Sequence, residues 1–184
     1  MTIQSQYGAE IDIRVRGSDL ILAHDPFEEG EHLIDYLDSY HHGTLILNIK
    51  ESGIEDEVLN LVRERPSISS YFLLDIEIPY LYRASMQGEK AIAVRFSEIE
   101  SIDMVAKLVD RVTWVWIDTI TSLPIVKSHV ELLSKFKTCL VCPERWNKPD
   151  NITVFQSQMR EIGFWPDAVM TSIDYLDNWH QQSM

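Results

Sequence analysis

The chain has 184 residues, of which 45% are hydrophobic, and a formal net charge of −13. Such a length and composition suit a single domain, residues 1–184, with a sizeable core. The negative charge argues against general binding to nucleic acid or to anionic membranes, because both are polyanions. We find no signal-like segment in the first residues and no apolar run long enough to span a bilayer, so we expect a cytoplasmic protein without membrane insertion.

Seven apolar runs have the length of β-strands, and most of them are apolar nearly throughout. They are residues 9–14, 45–50, 71–76, 91–96, 114–120, 138–144 and 168–172. This pattern is typical of strands that are covered on both faces. Helix-like patterns lie between the runs, at 55–65, 98–111 and 123–136. The alternation predicts βα units and a parallel sheet.

Nearly every run ends on a polar or charged residue: Asp12, Asn48 with Lys50, Asp75, Arg95, Asp118, Glu144 and Ser172. In a (β/α) barrel the carboxyl ends of all strands converge on one face, where active sites are built. An open doubly wound sheet would usually show a Gly-rich phosphate turn, and no such motif occurs here. We therefore predict an α/β fold of the TIM-type (β/α) barrel class with seven recognisable strands.

The first run carries two acidic residues on one face. Glu10 and Asp12 lie two positions apart, so their side chains point the same way from a strand. One interpretation is that the two carboxylates are oxygen ligands of Mg²⁺ or Ca²⁺. The other is that they lie at the solvent-exposed rim of the barrel and form hydrogen bonds with water or with Arg14. Residues 18–25 follow the first strand too closely for a crossover helix to lie between them. We expect a short hairpin there that brings His24 over the acidic pair.

The two cysteines, Cys139 and Cys142, lie in a strand-like run rather than in a loop. Residues three apart on a strand face opposite ways, so the thiols are not placed to share a zinc ion or a disulfide. We interpret both as buried structural cysteines in a reducing compartment.

With Glu10-Ile11-Asp12 followed by His24-Asp25, the chain resembles the glycerophosphodiester phosphodiesterase family of phospholipase-C-like phosphodiesterase barrels. The resemblance covers nearly the whole chain. LILNIKE stands where the family has a strand ending in E-x-K, and YFLLDIEIP, RFSEIE, VWID and CPE resemble a divergent bacterial branch. The family's opening strand, with its His-Arg-Gly motif, has no counterpart here, so the expected barrel is incomplete, with the first strand missing. Asn48 also stands where better-known members have a metal-binding Glu.

The resemblance implies cleavage of a phosphodiester by a neighbouring hydroxyl of the substrate, with two histidines and a divalent cation. Here His24 would be the general acid or base and Lys50 would contact a phosphate oxygen, and Glu10 and Asp12 would hold Mg²⁺ or Ca²⁺. Other strand-end residues are expected to contact the substrate or to pair with one another, namely Arg14, Asn48, Asp75, Arg95, Asp118 and Glu144. Glu98 and Arg145 are expected at the same end of the barrel.

Three functional interpretations remain open. The chain is a hydrolase of a small phosphodiester or phosphorylated metabolite, with activity reduced by the missing histidine. Alternatively it is a non-catalytic barrel that binds a phosphorylated ligand or a partner protein, or the natural chain begins upstream of Met1. A barrel that lacks a strand has open edges, which predicts homo-oligomers or coverage by residues 1–6.

Overall fold

The computed structural model describes residues 4–180. Its strands are β1 (Ala9–Arg16), β2 (Asp19–Leu22), β3 (Leu45–Ile49), β4 (Tyr71–Leu74), β5 (Ala93–Phe96), β6 (Trp114–Ile117), β7 (Lys137–Val141) and β8 (Ala168–Met170). The helices are α1 (Leu33–Ser39), α2 (Glu55–Arg63), α3 (Ile78–Met86), α4 (Ile102–Ala106), α5 (Val130–Leu133), α6 (Asn151–Ile162) and α7 (Leu176–His180). The chain divides into two compact units, residues 1–92 and 93–184. That all 184 residues form one domain stays a prediction.

In the first unit the strands are ordered β2-β1-β3-β4. β1, β3 and β4 are parallel, and β2 returns antiparallel along β1 from Ile13 to Arg16. The hairpin predicted for residues 18–25 is therefore confirmed. Ile13, Leu47 and Phe72 are fully buried in the core of this unit.

Two glycines allow the chain to pass closely at the start of β1. A Cβ atom on Gly8 would lie 2.2 Å from the carbonyl oxygen of Thr44, which accepts a hydrogen bond from Ala9 N at 3.1 Å. Gly43 N donates to Tyr7 O at 2.8 Å, and a Cβ there would lie 2.9 Å from the carbonyl oxygen of Gln6. The register of β1 on β3 therefore depends on the absence of side chains at both glycines.

In the second unit four parallel strands are ordered β5-β6-β7-β8. Val115, Ile117 and Leu140 are fully buried in its core. Cys139 and Cys142 are buried and form no disulfide with each other, as expected for structural cysteines. Together the two sheets contain the seven parallel strands that the apolar runs predict. None of the helices within residues 4–180 combines the length and the hydropathy needed to cross a membrane.

Two predicted helices are shorter than their sequence patterns. The pattern at 98–111 gives only α4, because Ser97 Oγ accepts hydrogen bonds from Ile99 N and Glu100 N and so stabilises a turn. Ser101 Oγ then caps the helix by accepting from Asp103 N. The pattern at 123–136 gives a 3₁₀ turn at Lys127–His129 followed by α5. The helix predicted at 55–65 is confirmed as α2.

Candidate functional site

The register of two parallel strands brings four polar side chains together in the first unit. Asp12 of β1 lies opposite Asn48 of β3, and Glu10 and Lys50 lie two positions from them on the same face. Asn48 Nδ2 donates a hydrogen bond to Glu10 Oε1 at 2.8 Å. Lys50 Nζ lies 2.9 Å from Asp12 Oδ1. We call Glu10, Asp12, Asn48 and Lys50 the strand-end cluster.

Burial and charge act against each other at Glu10. Burial raises the pKa of this carboxyl group, the hydrogen bond from Asn48 lowers it, and the charge of Asp12 raises it again. Lys50 lowers the pKa and Asp75 raises it, and the net result is a raised pKa. Lys50 is the one cation in the strand-end cluster, and it faces the carboxylates of Glu10 and Asp12, with Asp75 also acting on Glu10. Additional positive charge at the cluster would therefore be stabilised.

Two oxygens of the strand-end cluster are buried, and one of them, on Asn48, has no partner. Asn48 is only 6% exposed, and its Oδ1 has no partner because its amide group is turned towards Glu10. Asp12 Oδ1 is also buried, and the ammonium group of Lys50 lies 2.9 Å from it. A buried, unsatisfied polar atom is costly unless something else binds it. With Glu10, these atoms form a donor set made only of oxygen, which suits Mg²⁺ or Ca²⁺.

The same residues do not form a conventional acidic metal cage. Within residues 4–180 no group of three or more His, Cys, Asp and Glu side chains is arranged to hold a metal ion. A cation at the strand-end cluster would have two carboxylates and one neutral amide as protein ligands, with water completing the coordination. We therefore expect weaker binding than a third carboxylate would give.

Asp75 follows β4 in a left-handed backbone conformation, with φ of 60°. This conformation is uncommon for residues other than glycine and costs of order 1 kcal/mol. Asp75 acts on the charge of Glu10, so β4 contributes a third acidic group beside the strand-end cluster. The sequence prediction that Asp75 contacts substrate stays a prediction.

Arg14 joins the hairpin to the end of β3. Its Nε and Nη2 atoms donate to the carbonyl oxygen of His24 at 3.1 and 3.0 Å, and Nη1 donates to Glu51 Oε1 at 3.2 Å. Arg14 was expected to contact substrate, and in the structure its guanidinium group holds two backbone segments beside the cluster. It is therefore placed to position His24.

His24 lies at the hairpin with its side chain 74% exposed. Ala23 N donates to Asp12 O at 3.1 Å, so the hairpin returns to the level of the acidic pair as the sequence predicts. The imidazole Nδ1 lies 2.8 Å from Asp25 Oδ1. A carboxylate can only accept, so Nδ1 carries the proton and Nε2 is the nitrogen that can take one up.

In the second unit the predicted residues pair locally. Arg95 forms an ion pair with Asp118, whose side chain is almost fully buried. Glu144 Oε1 accepts hydrogen bonds from Ser172 N at 2.7 Å, Ser172 Oγ at 3.1 Å and Thr171 Oγ1 at 3.2 Å. The ion pair of Arg95 with Asp118 is the mutual pairing that the sequence left open as an alternative to substrate binding, whereas Glu144 binds hydroxyl residues instead.

Sequence reasoning missed the hydroxyl residues that these carboxylates bind. Thr121 and Ser122 follow β6 and donate to Glu98, while Thr171 and Ser172 follow β8 and donate to Glu144. The sequence feature that could have indicated these residues is a Thr-Ser pair shortly after a strand, which occurs twice, in ITS at 120–122 and in MTS at 170–172. The hydroxyl and backbone donors at such a turn readily bind a carboxylate.

Comparison with known proteins gives one structural likeness. The chain matches the crystal structure of a glycerophosphodiester phosphodiesterase from Agrobacterium tumefaciens with a TM-score of 0.57 and 14% sequence identity. The match covers 88% of this chain and 82% of the other. The likeness shows the fold. No protein-family model matches the chain, and no curated protein matches it by sequence.

The predicted fold class is thereby confirmed. The chain has an α/β fold of the (β/α)-barrel type, similar to that of the Agrobacterium phosphodiesterase. Within residues 4–180 the strands form two four-stranded sheets rather than one closed sheet, which agrees with an incomplete barrel. Asn48 and Lys50 lie at the carboxyl end of β3, the end at which barrel enzymes place their catalytic groups, and Asp12 of β1 lies opposite Asn48.

Proposed function

We propose that the chain is a phosphodiester hydrolase of the glycerophosphodiester phosphodiesterase type, which acts on a small phosphodiester or phosphorylated metabolite with a divalent cation. The observation that carries the proposal is the buried carbonyl oxygen of Asn48, which has no hydrogen-bond partner, beside the carboxylates of Glu10 and Asp12. The structural likeness to a glycerophosphodiester phosphodiesterase supports it.

Glu10, Asp12 and Asn48 would hold the cation through their oxygen atoms. A divalent ion at this position would screen the charge of a phosphate and polarise its oxygens. The carboxylates of Glu10 and Asp12 provide charge, and Asn48 provides a neutral carbonyl oxygen.

Lys50 places a positive charge within the strand-end cluster, 2.9 Å from Asp12 Oδ1. A phosphate approaching a chain with a net charge of −13 meets an unfavourable overall field. Lys50 would reverse that field locally and would bind a phosphate oxygen as a point charge. This is its role in the proposal.

His24 would transfer the proton. Asp25 holds Nδ1 in the protonated form, so Nε2 can accept a proton from the attacking hydroxyl or donate one to the leaving alkoxide. Arg14 would fix the backbone of His24 through its two hydrogen bonds to the carbonyl oxygen. A positioned acid or base of this kind contributes about 10² to 10⁴ in rate.

A second candidate is a non-catalytic barrel that binds a phosphorylated ligand or a partner protein. The ion pairs of Asp12 with Lys50 and of Glu51 with Arg14 favour it, because they already compensate part of the acidic charge. The His24 side chain is also largely exposed to solvent.

Hydrolysis of glycerophosphodiesters and of a chromogenic phosphodiester, with and without Mg²⁺ or Ca²⁺, tests the first candidate. We expect metal-dependent turnover that falls by about 10² or more in His24→Ala. His41→Ala is the matched control, since His41 is an exposed histidine that does not belong to the strand-end cluster. Turnover that survives His24→Ala would contradict the role of His24.

Calorimetry separates the two candidates. Binding of Mg²⁺ and of glycerol phosphate without any turnover favours the non-catalytic barrel. The absence of both binding and turnover contradicts the hydrolase and a barrel that binds a phosphorylated ligand, and it favours a purely structural role. A cation bound by the wild type and not by Glu10→Gln/Asp12→Asn would support the proposed metal ligands.

Self-association is part of the proposal. β8 is the last strand of its sheet, and in the described part of the chain it pairs only with β7. An unpaired strand edge can add a strand from another chain. Light scattering that shows a monomer at all concentrations would contradict this. Cytoplasmic location and the lack of nucleic-acid binding stay predictions.

A further inference from the structure

Four hydrogen-bond donors converge on one carboxylate oxygen in the second unit. Glu98 Oε1 accepts from Thr121 N at 2.8 Å, Ser122 N at 2.5 Å, Thr121 Oγ1 at 3.0 Å and Ser122 Oγ at 3.2 Å. Glu98 lies between β5 and α4, and the two donor residues follow β6. We call Thr121 and Ser122 the hydroxyl turn.

The hydroxyl turn presents the donor set that an oxyanion requires. Consecutive backbone N–H groups form anion-binding concavities, and the two hydroxyls add donors aimed at the same point. Lys148 Nζ donates to the carbonyl oxygen of Ile120 at 2.8 Å, so a cation is held at the residue before the turn. A local positive field therefore exists there, although the chain as a whole is strongly acidic.

Glu98 can leave the hydroxyl turn without disturbing the core, because Glu98, Thr121 and Ser122 are all exposed. The related contact of Glu144 with Thr171 and Ser172 differs in this respect. There the residues are half-buried, and the second carboxylate oxygen of Glu144 is completely buried. Opening the Glu144 contact would therefore move half-buried groups, whereas side-chain rotation alone can open the Glu98 contact.

We propose that the hydroxyl turn is a binding site for a phosphate group, as inorganic phosphate or as a phosphomonoester, and that Glu98 closes it in the absence of that ligand. Glu98 is an internal competitor whose carboxylate takes the place of a phosphate oxygen. This inference goes beyond the proposed hydrolase and does not depend on it, because the hydroxyl turn shares no residue with the strand-end cluster.

The competition is intramolecular, so its strength is set by the effective concentration of the tethered carboxylate. For a short tether this is of order millimolar or higher. The hydrogen bonds also keep Glu98 ionised at neutral pH, so phosphate concentration rather than protonation opens the site. Removing the carboxylate should therefore strengthen phosphate binding.

Titration of the ¹⁵N-labelled full chain with inorganic phosphate tests the proposal, with the amide signals of Thr121 and Ser122 as the readout. We expect saturable shifts in Glu98→Ala at an affinity at least about tenfold higher than in the wild type. Glu144→Gln, the matched control, should respond as the wild type does. Thr121→Val/Ser122→Ala in the Glu98→Ala background should weaken binding, because two of the four donors are lost.

Glu98→Gln provides a second comparison if Glu98→Ala does not fold, because glutamine keeps the volume and one acceptor but not the charge. Titration with glycerol phosphate and with sodium chloride at equal ionic strength distinguishes phosphate recognition from general anion binding. Equal phosphate affinity in the wild type and in both Glu98 variants would overturn the proposal. Shifts of the same size with chloride would also overturn it.

Discussion

Asn48 donates a hydrogen bond from its amide nitrogen to Glu10 on the neighbouring strand, and its own carbonyl oxygen is buried without a partner. The two residues are 38 positions apart in sequence, and parallel pairing of β1 with β3 brings them into contact. A buried amide that is only half satisfied is costly, so its free oxygen marks where a further group can bind.

Asn48→Asp adds a third carboxylate beside Glu10 and Asp12. Without a divalent cation the variant should be less stable than the wild type by about 1–3 kcal/mol, because like charges repel in a buried setting. Mg²⁺ should restore this loss and raise the midpoint of urea unfolding more than in the wild type. Asn60→Asp, at an exposed position of α2, is the control. An equal response of both variants to Mg²⁺ would argue against a cation at this position.

Lys50→Met leaves Asp12 without its ion-pair partner. Both side chains are only 20% exposed, so the unfolding free energy should fall by about 1–3 kcal/mol. The double variant Lys50→Met/Asp12→Asn should recover part of the loss, because the uncompensated charge is then absent. Urea unfolding of the four proteins in the cycle measures the coupling. Independent, additive effects would show that the two residues do not interact.

Glu98→Gln should change how stability depends on pH. Partial burial acts to raise the pKa of Glu98, but hydrogen bonds from the backbone of Ser122, of Glu98 itself and of Thr121 outweigh it and lower the pKa from 4.5 to about 2. The folded state therefore binds this proton less readily than the unfolded state. Its contribution is present above about pH 4.5 and is lost as the pH falls towards 2.

We expect Glu98→Gln to lower the unfolding free energy at pH 7 by about 1 kcal/mol, a modest value because the site is solvent-screened. The difference from the wild type should disappear near pH 2. Urea unfolding at a series of pH values measures it. Glu57→Gln, an exposed residue of α2, should show no such pH-dependent difference. A constant difference for Glu98→Gln at every pH would refute the assignment.

Arg14→Lys should loosen the hairpin loop around His24. A lysine cannot reproduce the two N–H bonds to His24 O together with the bond to Glu51. Amide hydrogen exchange at residues 23–31 should therefore accelerate. Arg83→Lys is the control, since Arg83 pairs with Asp56 at an exposed position outside this loop. Unchanged exchange in Arg14→Lys would show that other contacts hold the loop.

The strands could be predicted from the sequence because each is an apolar run with clear ends. Each of the seven parallel strands overlaps one predicted run, although β1 and β7 extend beyond theirs, and the short segment before His24 correctly indicated a hairpin. The length of α4 could not be predicted from hydrophobic periodicity. Ser97 and Ser101 form local hydrogen bonds with the backbone that compete with the helix, and periodicity does not reveal such bonds.

The shared face of Glu10 and Asp12 could be predicted from two-residue spacing. Their partners could not, because the pairing of Glu10 with Asn48 depends on strand register. The sequence places Glu98 among several acidic residues near strand ends, and it does not indicate which groups bind this carboxylate. Its four donors come from a turn 23 and 24 residues away, and no local pattern links the two segments.

Gly8 and Gly43 set the point at which β1 meets β3, below the acidic face. Any side chain introduced at Gly8 would push β1 away from Thr44 and tilt every residue that follows. The separation of Glu10 from Asn48 would then change although neither had been altered. A substitution at Gly8 or Gly43 can therefore change the strand-end cluster, although a glycine has no functional group of its own.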